Sequence, residues 1–68
     1  MTGEVKSFSK AKGYGFITSE GQDYRFRSNQ WNLVLPPCQG VKVKFDPRRT
    51  EKGMRAINIR WWRDDERN

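Results

Sequence analysis

The sequence predicts a small all-β domain, a barrel or sandwich of five short strands. Its apolar residues fall in brief clusters rich in aromatic and β-branched side chains, and residues that favour turns separate these clusters. No stretch shows sustained helical periodicity. With 68 residues the chain is long enough for one domain, which would bury only about 60% of its unfolded surface. We therefore expect a small core and modest stability.

Turn-forming pairs divide the chain into the predicted strands. These pairs are Lys12-Gly13, Glu20-Gly21, Pro36-Pro37, Asp46-Pro47 and Lys52-Gly53. The predicted strands lie near residues 3–10, 13–19, 22–28, 40–46 and 53–61. In the fourth strand Val41, Val43 and Phe45 alternate with Lys42 and Lys44, so the apolar residues are expected inside and the lysines outside.

The longest predicted connection is the loop at residues 29–39. It contains two consecutive prolines, which cannot donate backbone hydrogen bonds to a sheet. At its start, Ser28 or Asn29 would cap one short helical turn that carries Trp31.

The charge of the chain favours polyanionic partners. The chain has 14 Lys and Arg against 8 Asp and Glu, and three of the acids lie near the C-terminus, so residues 1–63 carry a net +8 from 13 basic and 5 acidic side chains. Such a field attracts nucleic acid or an anionic membrane surface, and the alternative is a solvated basic surface without a partner. We place a barrel domain at residues 1–62 and a charged tail, expected to be frayed, at residues 63–68.

Other function classes are disfavoured. The longest apolar run, at residues 33–35, is far shorter than the ~20 residues of a membrane span, and the polar residues after Met1 are unlike a signal peptide. Because the chain has one cysteine, Cys38, it cannot form an internal disulfide. Because it also has no histidine, a zinc site built on those ligands is excluded. We expect a cytoplasmic, non-enzymatic protein with no metal, no cofactor and no membrane partner.

The most informative stretch is the run KGYGFI at residues 12–17. In a strand, Tyr14 and Phe16 project from one face, and Gly13 and Gly15 would leave both rings unmasked. Exposed rings suit stacking on nucleobases, worth ~1–3 kcal/mol per base, and Lys12 would meet a phosphate. The alternative places both rings in a sandwich core. That alternative leaves the glycines unexplained, because glycine weakens a strand interior.

The chain resembles the bacterial cold-shock proteins from Thr2 to about Trp61. The segments that carry the resemblance are TGEVK at residues 2–6, Phe8, KGYGFI at residues 12–17, Gly40-Val41 with Val43, Lys52-Gly53, and AINI at residues 56–59. The resemblance implies a five-stranded antiparallel oligonucleotide-binding (OB-fold) barrel. It also implies that single-stranded RNA or DNA binds an aromatic face on strands one to three. The contact residues that carry over are Lys6, Phe8, Lys12, Tyr14 and Phe16.

This chain departs from the family at the expected ligand face. Ser7 stands where strand one of the family usually has tryptophan. In strand three, Arg25 and Arg27 take the outward positions of the family's Phe and His, and Ser28 replaces the next Phe. The inward positions of that strand are taken by Tyr24 and Phe26.

Two interpretations of this face stay open. In the first, Arg25 and Arg27 stack on bases and bind phosphates, so that binding depends steeply on salt. In the second, the barrel has lost most of its nucleic-acid affinity and is a regulatory module that binds a bacterial protein. We favour the first, because the arginines add positive charge. We therefore predict a bacterial or bacteriophage nucleic-acid-binding protein, a regulator of transcription or an RNA chaperone, that is a monomer or weak dimer.

Further residues are predicted to extend the site. Cations on strand four and around the turn that follows it would lengthen the phosphate track, although such runs are more often solvated surface. They are Lys42, Lys44, Arg48, Arg49, Lys52 and Arg55. Arg48 and Arg49 are expected to matter less than Arg25 and Arg27, because the predicted turn lies away from the aromatic pair.

The tryptophans have two interpretations. Trp31 and Trp62 would stack on a ligand or a partner protein. Alternatively, Trp31 packs within its loop, Trp61 closes the barrel and Trp62 anchors the loop at residues 29–39.

Overall fold

Five strands form a closed barrel, as predicted. A computed structural model of the chain describes residues 1–62, so the predicted tail lies outside the described residues. The elements are β1 (Thr2–Ser9), β2 (Tyr14–Ser19), β3 (Gln22–Arg27), a single 3₁₀ turn (Ser28–Gln30), β4 (Lys42–Thr50) and β5 (Gly53–Trp61). Around the barrel the order is β1-β2-β3-β5-β4, and only the β3–β5 pair is parallel. The described residues contain no helix that is long and apolar enough to cross a membrane.

The core consists of inward side chains from all five strands. Each is at most 4% exposed: Val5, Ile17, Tyr24, Phe26, Val43, Phe45, Ala56 and Ile59. Tyr24 and Phe26 therefore occupy the inward positions of β3, as predicted. Because side chains alternate along a strand, Arg25 and Arg27 lie on the outer surface of the barrel.

β4 is longer than predicted, and the turn placed at Asp46-Pro47 is wrong. The strand continues through Pro47, which pairs with Ala56 of β5. β1 pairs with β4 only as far as Lys44, so Pro47 lies where β4 has a neighbour on one side only. A sheet tolerates proline at such an edge, which explains why a residue typical of turns did not end the strand.

The longer β4 changes the place of its arginines. Arg48 and Arg49 lie within the strand and not on a turn, and the reversal of the chain is confined to residues 51–52. Arg48 pairs in register with Arg55 of β5. The prediction that Arg48 and Arg49 lie on a turn is therefore wrong.

Gly13 and Gly15 have structural roles, so the argument that a purely structural interpretation leaves them unexplained is also wrong. A Cβ atom on Gly15 would collide with the carbonyl oxygen of Ser7 and would lie 2.9 Å from the Cα of Phe8. Gly15 thus allows β1 and β2 to approach closely. Gly13 has φ +76°, a left-handed conformation that favours glycine, in the turn before β2.

Trp31 packs in the loop that follows β3. The predicted turn is present at Ser28–Gln30, but no side chain caps it. The Trp31 ring stacks on Phe26 with centroids 5.7 Å apart, and its Nε1 donates a hydrogen bond of 2.7 Å to the carbonyl of Leu35. The loop is thereby fixed against the core.

Trp61 does not close the barrel, contrary to one of the predicted alternatives. Ile59 is the last buried residue of β5, and Trp61 projects beyond the covered core with 52% of its surface exposed. The ring of Trp62 lies 5.4 Å from the Nζ of Lys42. Trp61 therefore sits at the end of β5, and Trp62, which follows it, lines a groove together with Lys42 and Thr18 of β2.

Candidate nucleic-acid interface

A row of outward side chains crosses all five strands. In register, Ser7 of β1 pairs with Phe16 of β2, and Phe16 pairs with Arg25 of β3. Arg25 pairs with Arg55 of β5, and Arg55 pairs with Arg48 of β4. We call these five residues the outer row. From β1 to β4, this row consists of a small hydroxyl side chain, an aromatic ring and three arginines.

An aromatic pair and two arginines share the outer surface of β2 and β3. The rings of Tyr14 and Phe16 are partly exposed and meet edge to face, with centroids 6.1 Å apart and planes at 82°. The Cζ of Arg25 lies 4.4 Å from the centroid of the Tyr14 ring, and Arg27 pairs in register with Tyr14. The prediction that these arginines lie beside the aromatic pair is confirmed. We call these four residues the platform.

Arg25 is positioned by the Tyr14 ring, and no carboxylate among residues 1–62 forms an ion pair with it. Its Nε is buried and has no hydrogen-bond partner within the described residues. A buried donor without an acceptor costs about 1–3 kcal/mol, so an anion that drew the guanidinium off the ring would relieve this cost.

Four arginines line a groove on the seam of β3, β5 and β4. The groove has a volume of about 230 Å³ and is lined by Arg25, Arg27, Arg48 and Arg55 with the neutral residues Phe26, Asn29, Gln30, Thr50, Ala56 and Ile57. None of its lining residues within residues 1–62 is acidic. We call this the arginine groove. Asn29 and Gln30 were not predicted as site residues; in the sequence they are a polar pair in the short turn that follows β3.

Phe8 lies on the inner side of β1 and not on the platform. A register shift between Val5 and Ser7 changes the alternation of β1, so Phe8 pairs with Gly15. The Phe8 ring stacks on Phe26 with centroids 5.7 Å apart and planes at 14°. Its free side borders a groove of about 480 Å³ whose other lining residues are Lys10, Gly13, Ser28, Pro36 and Pro37. A ligand in this groove would contact Phe8.

The two predicted lysine contacts differ in their partners. The Nζ of Lys6 lies 2.8 Å from the Oδ2 of Asp23, and both side chains are about half exposed. Exposed ion pairs of this kind contribute about 0–1 kcal/mol, so a phosphate could compete for the lysine. Lys12 is exposed in the turn between β1 and β2, next to the start of the platform.

Sequence comparisons identify the family. The chain is 40% identical over 63 residues to a cold shock-like protein of Stigmatella aurantiaca, and the alignment covers 87% of this chain and 93% of that protein. It is 44% identical over 62 residues to a cold shock-like protein of Aquifex aeolicus, covering 85% and 89% of the two chains. The chain belongs to the cold shock protein family. The major cold shock protein of Streptococcus pyogenes serotype M1 is 42% identical over 60 residues, which cover 84% of this chain and 90% of that protein. No protein-family model matches the chain.

The other predicted phosphate contacts of this cold shock protein lie apart from the platform. Lys42 pairs in register with Glu4, and Lys44 pairs with Thr2, both on β1. Arg49 is in register with Met54 at the far end of the β4–β5 hairpin. Lys52 is exposed in the turn of the same hairpin. The structure thus joins only Arg48 and Arg55, of the six predicted cations, to the platform arginines.

Asp46 is the acid on β4, and it is engaged away from the arginine groove. Its carboxylate accepts hydrogen bonds from Asn58, at 3.4 Å, and from Arg60, at 3.3 Å. The Asn58 hydrogen bond and then the Arg60 contact lower the pKa of Asp46 below its ordinary value, although burial opposes them. Asp46 therefore stays ionised at neutral pH and forms an ion pair with Arg60.

Proposed function

We propose that this cold shock protein binds single-stranded RNA or DNA on the platform and that it performs no catalysis. The observation that carries this proposal is the contact between Tyr14 and Arg25, because a partly exposed ring shares one site with a guanidinium that no carboxylate of residues 1–62 pairs with. An aromatic ring stacks on a base, and a guanidinium binds a phosphate through two parallel hydrogen bonds. Both parts of a nucleotide would be bound there together.

The geometry of the aromatic pair favours an unpaired strand. The planes of Tyr14 and Phe16 are almost perpendicular, so one flat base cannot stack on both rings. Two bases would stack on them at different angles. Unpaired bases can separate in this way, whereas the bases of a duplex hide their faces in the helical stack.

The chemistry of the platform suits binding with little sequence preference. Stacking uses the face of a base, and phosphate contacts carry no sequence information. A protein with these contacts would act as an RNA chaperone or a regulator of transcription in the cytoplasm. As a chaperone it would lower the temperature at which a fluorophore-labelled RNA hairpin opens.

The proposal is tested by fluorescence anisotropy with labelled oligonucleotides at near-physiological salt. We expect binding to a single strand of about 6 nucleotides to be at least about tenfold tighter than binding to the same sequence as a duplex. Equal affinity for both forms would show that charge alone drives binding and would contradict the proposal. A protein partner that stays bound to the tagged protein after nuclease treatment would then favour the protein-binding alternative.

A further inference from the structure

We infer that the arginine groove is a second phosphate-binding subsite, in which Arg48 and Arg55 hold the backbone of a strand that leaves the platform. This inference rests on the proposed function, because it extends the same nucleic-acid path. It concerns a different surface. Tyr14 and Phe16 lie on β2, whereas Arg48 and Arg55 lie on β4 and β5.

The outer row makes the two surfaces continuous. Arg25 contacts the Tyr14 ring and also lines the arginine groove. It pairs with Arg55, which pairs with Arg48. Neighbouring strands lie about 4.8 Å apart, so these three arginines start within about 10 Å of one another. A strand bound at Tyr14 therefore meets further positive charge directly beside it.

Nothing within the described residues neutralises this charge. Arg48 and Arg55, like Arg25 and Arg27, form no ion pair with a carboxylate of residues 1–62. Like charges directly opposite each other on neighbouring strands are destabilising. The row of arginines therefore weakens the free barrel, and an anionic ligand is the chemistry that would reverse the effect.

The dimensions of the groove favour a phosphate group over a base or a metabolite. Its volume of about 230 Å³ is below the roughly 300–1,000 Å³ of pockets that enclose small molecules. The residues between its arginines include Phe26 and Ala56, which are buried, so no ring is exposed there for a base to stack on. Guanidinium groups match phosphate oxygens in pairs.

The outer row also indicates the direction of the path. At the β1 end it holds Ser7, which offers no stacking surface, and at the β4 end it holds arginines. The ligand would therefore run from β2 over β3 to β5 and β4. Oligonucleotides long enough to reach Arg48 would gain contacts that shorter ones lack.

The test compares two lengths of oligonucleotide on two charge-matched variants. One variant is Arg48→Gln with Arg55→Gln. The control is Arg49→Gln with Lys52→Gln, which removes the same charge at two residues that do not line the arginine groove. Labelled strands of about 4 and about 10 nucleotides both lie within the range of site sizes of such barrels. Each phosphate contact contributes about 0.7 to the slope of log affinity against log salt. For the long strand, we expect the groove variant to lose about 1.4 of this slope relative to the control variant.

The outcomes separate the inference from the proposed function. The inference predicts that the short strand binds the groove variant and the control variant equally, while the long strand binds the groove variant more weakly. In NMR spectra, the side-chain Nε signals of Arg48 and Arg55 should shift with the long strand only. Equal effects of both variants on the long strand would overturn the subsite, even if the short strand binds well. If wild-type protein binds neither strand, the proposed function fails. A shift of the two Nε signals with free inorganic phosphate, but not with the long strand, would show an anion site off the nucleic-acid path and would contradict the inference.

Discussion

Replacing Arg25 and Arg27 together by glutamine should flatten the salt dependence of nucleic-acid binding. The Arg25 guanidinium lies against the Tyr14 ring, and Arg27 pairs in register with Tyr14. Neither arginine forms an ion pair with a carboxylate of residues 1–62. If each neutralises one phosphate of a single strand, the pair contributes about 1.4 to the slope of log affinity against log salt. A rise from about 50 mM to about 200 mM salt would then weaken the wild-type protein about sevenfold more than the variant.

The same variant should remain folded, because two effects on stability oppose each other. Loss of the contact between Arg25 and Tyr14 removes about 0.5–1 kcal/mol of cation–π attraction. Loss of the buried Nε removes a donor without an acceptor, which costs the wild-type protein about 1–3 kcal/mol. We therefore expect the thermal midpoint, followed by circular dichroism, to stay the same or to rise.

The assay is an anisotropy titration of several short sequences at four or more salt concentrations. Arg49→Gln with Lys52→Gln is the control for the loss of two charges, since both residues lie away from the platform. Affinity should fall by a similar factor for every sequence, because phosphate contacts do not distinguish bases. The reasoning fails if the double glutamine variant keeps the wild-type salt slope, or if the control variant lowers that slope equally. Arg25 and Arg27 are then not phosphate contacts. A protein interface would then be the better account of this face.

Two further predictions concern the barrel itself. Gly15→Ala should destabilise the fold by about 1–3 kcal/mol, because the new Cβ meets the backbone of β1 at Ser7. An unchanged midpoint of urea unfolding would contradict the close approach of β1 and β2 at this point. The pKa of Asp46 is lowered in the folded state, so its carboxylate adds stability above its unfolded pKa that is lost as the pH falls through the folded value. Asp46→Asn should therefore lower the free energy of unfolding slightly at neutral pH and make it fall less as the pH is lowered. Urea unfolding curves of the variant that match the wild type at every pH would refute this.

The inward and outward residues of β3 could be predicted from the sequence. The match to the family's motif, together with alternation, placed Tyr24 and Phe26 inside and Arg25 and Arg27 outside, and the structure confirms both pairs. Alternation from Val5 does not give the position of Phe8, because a register shift in β1 follows Val5. Nothing in the local sequence marks that shift.

The arginine groove could not be predicted from local pattern, because it depends on which strands meet. Arg25 and Arg55 are neighbours only because β3 and β5 close the barrel as a parallel pair. Arg48 joins them because β4 continues past Pro47. Proline is typical of turns, and its tolerance here depends on an open strand edge, which is a property of the assembled sheet. The cluster of cations was visible in the sequence, but its connection to the platform was not.

The central claim, that the platform stacks on bases, is tested most directly by replacing Tyr14 and Phe16 together with alanine. Both rings are partly exposed, so the variant should stay folded, which circular dichroism verifies. Each stacked base contributes about 1–3 kcal/mol, so two bases lost should weaken binding of a short single strand by about 30-fold or more. The salt slope should stay unchanged, because all cations remain. A folded double variant that binds the short strand with wild-type affinity would contradict the account.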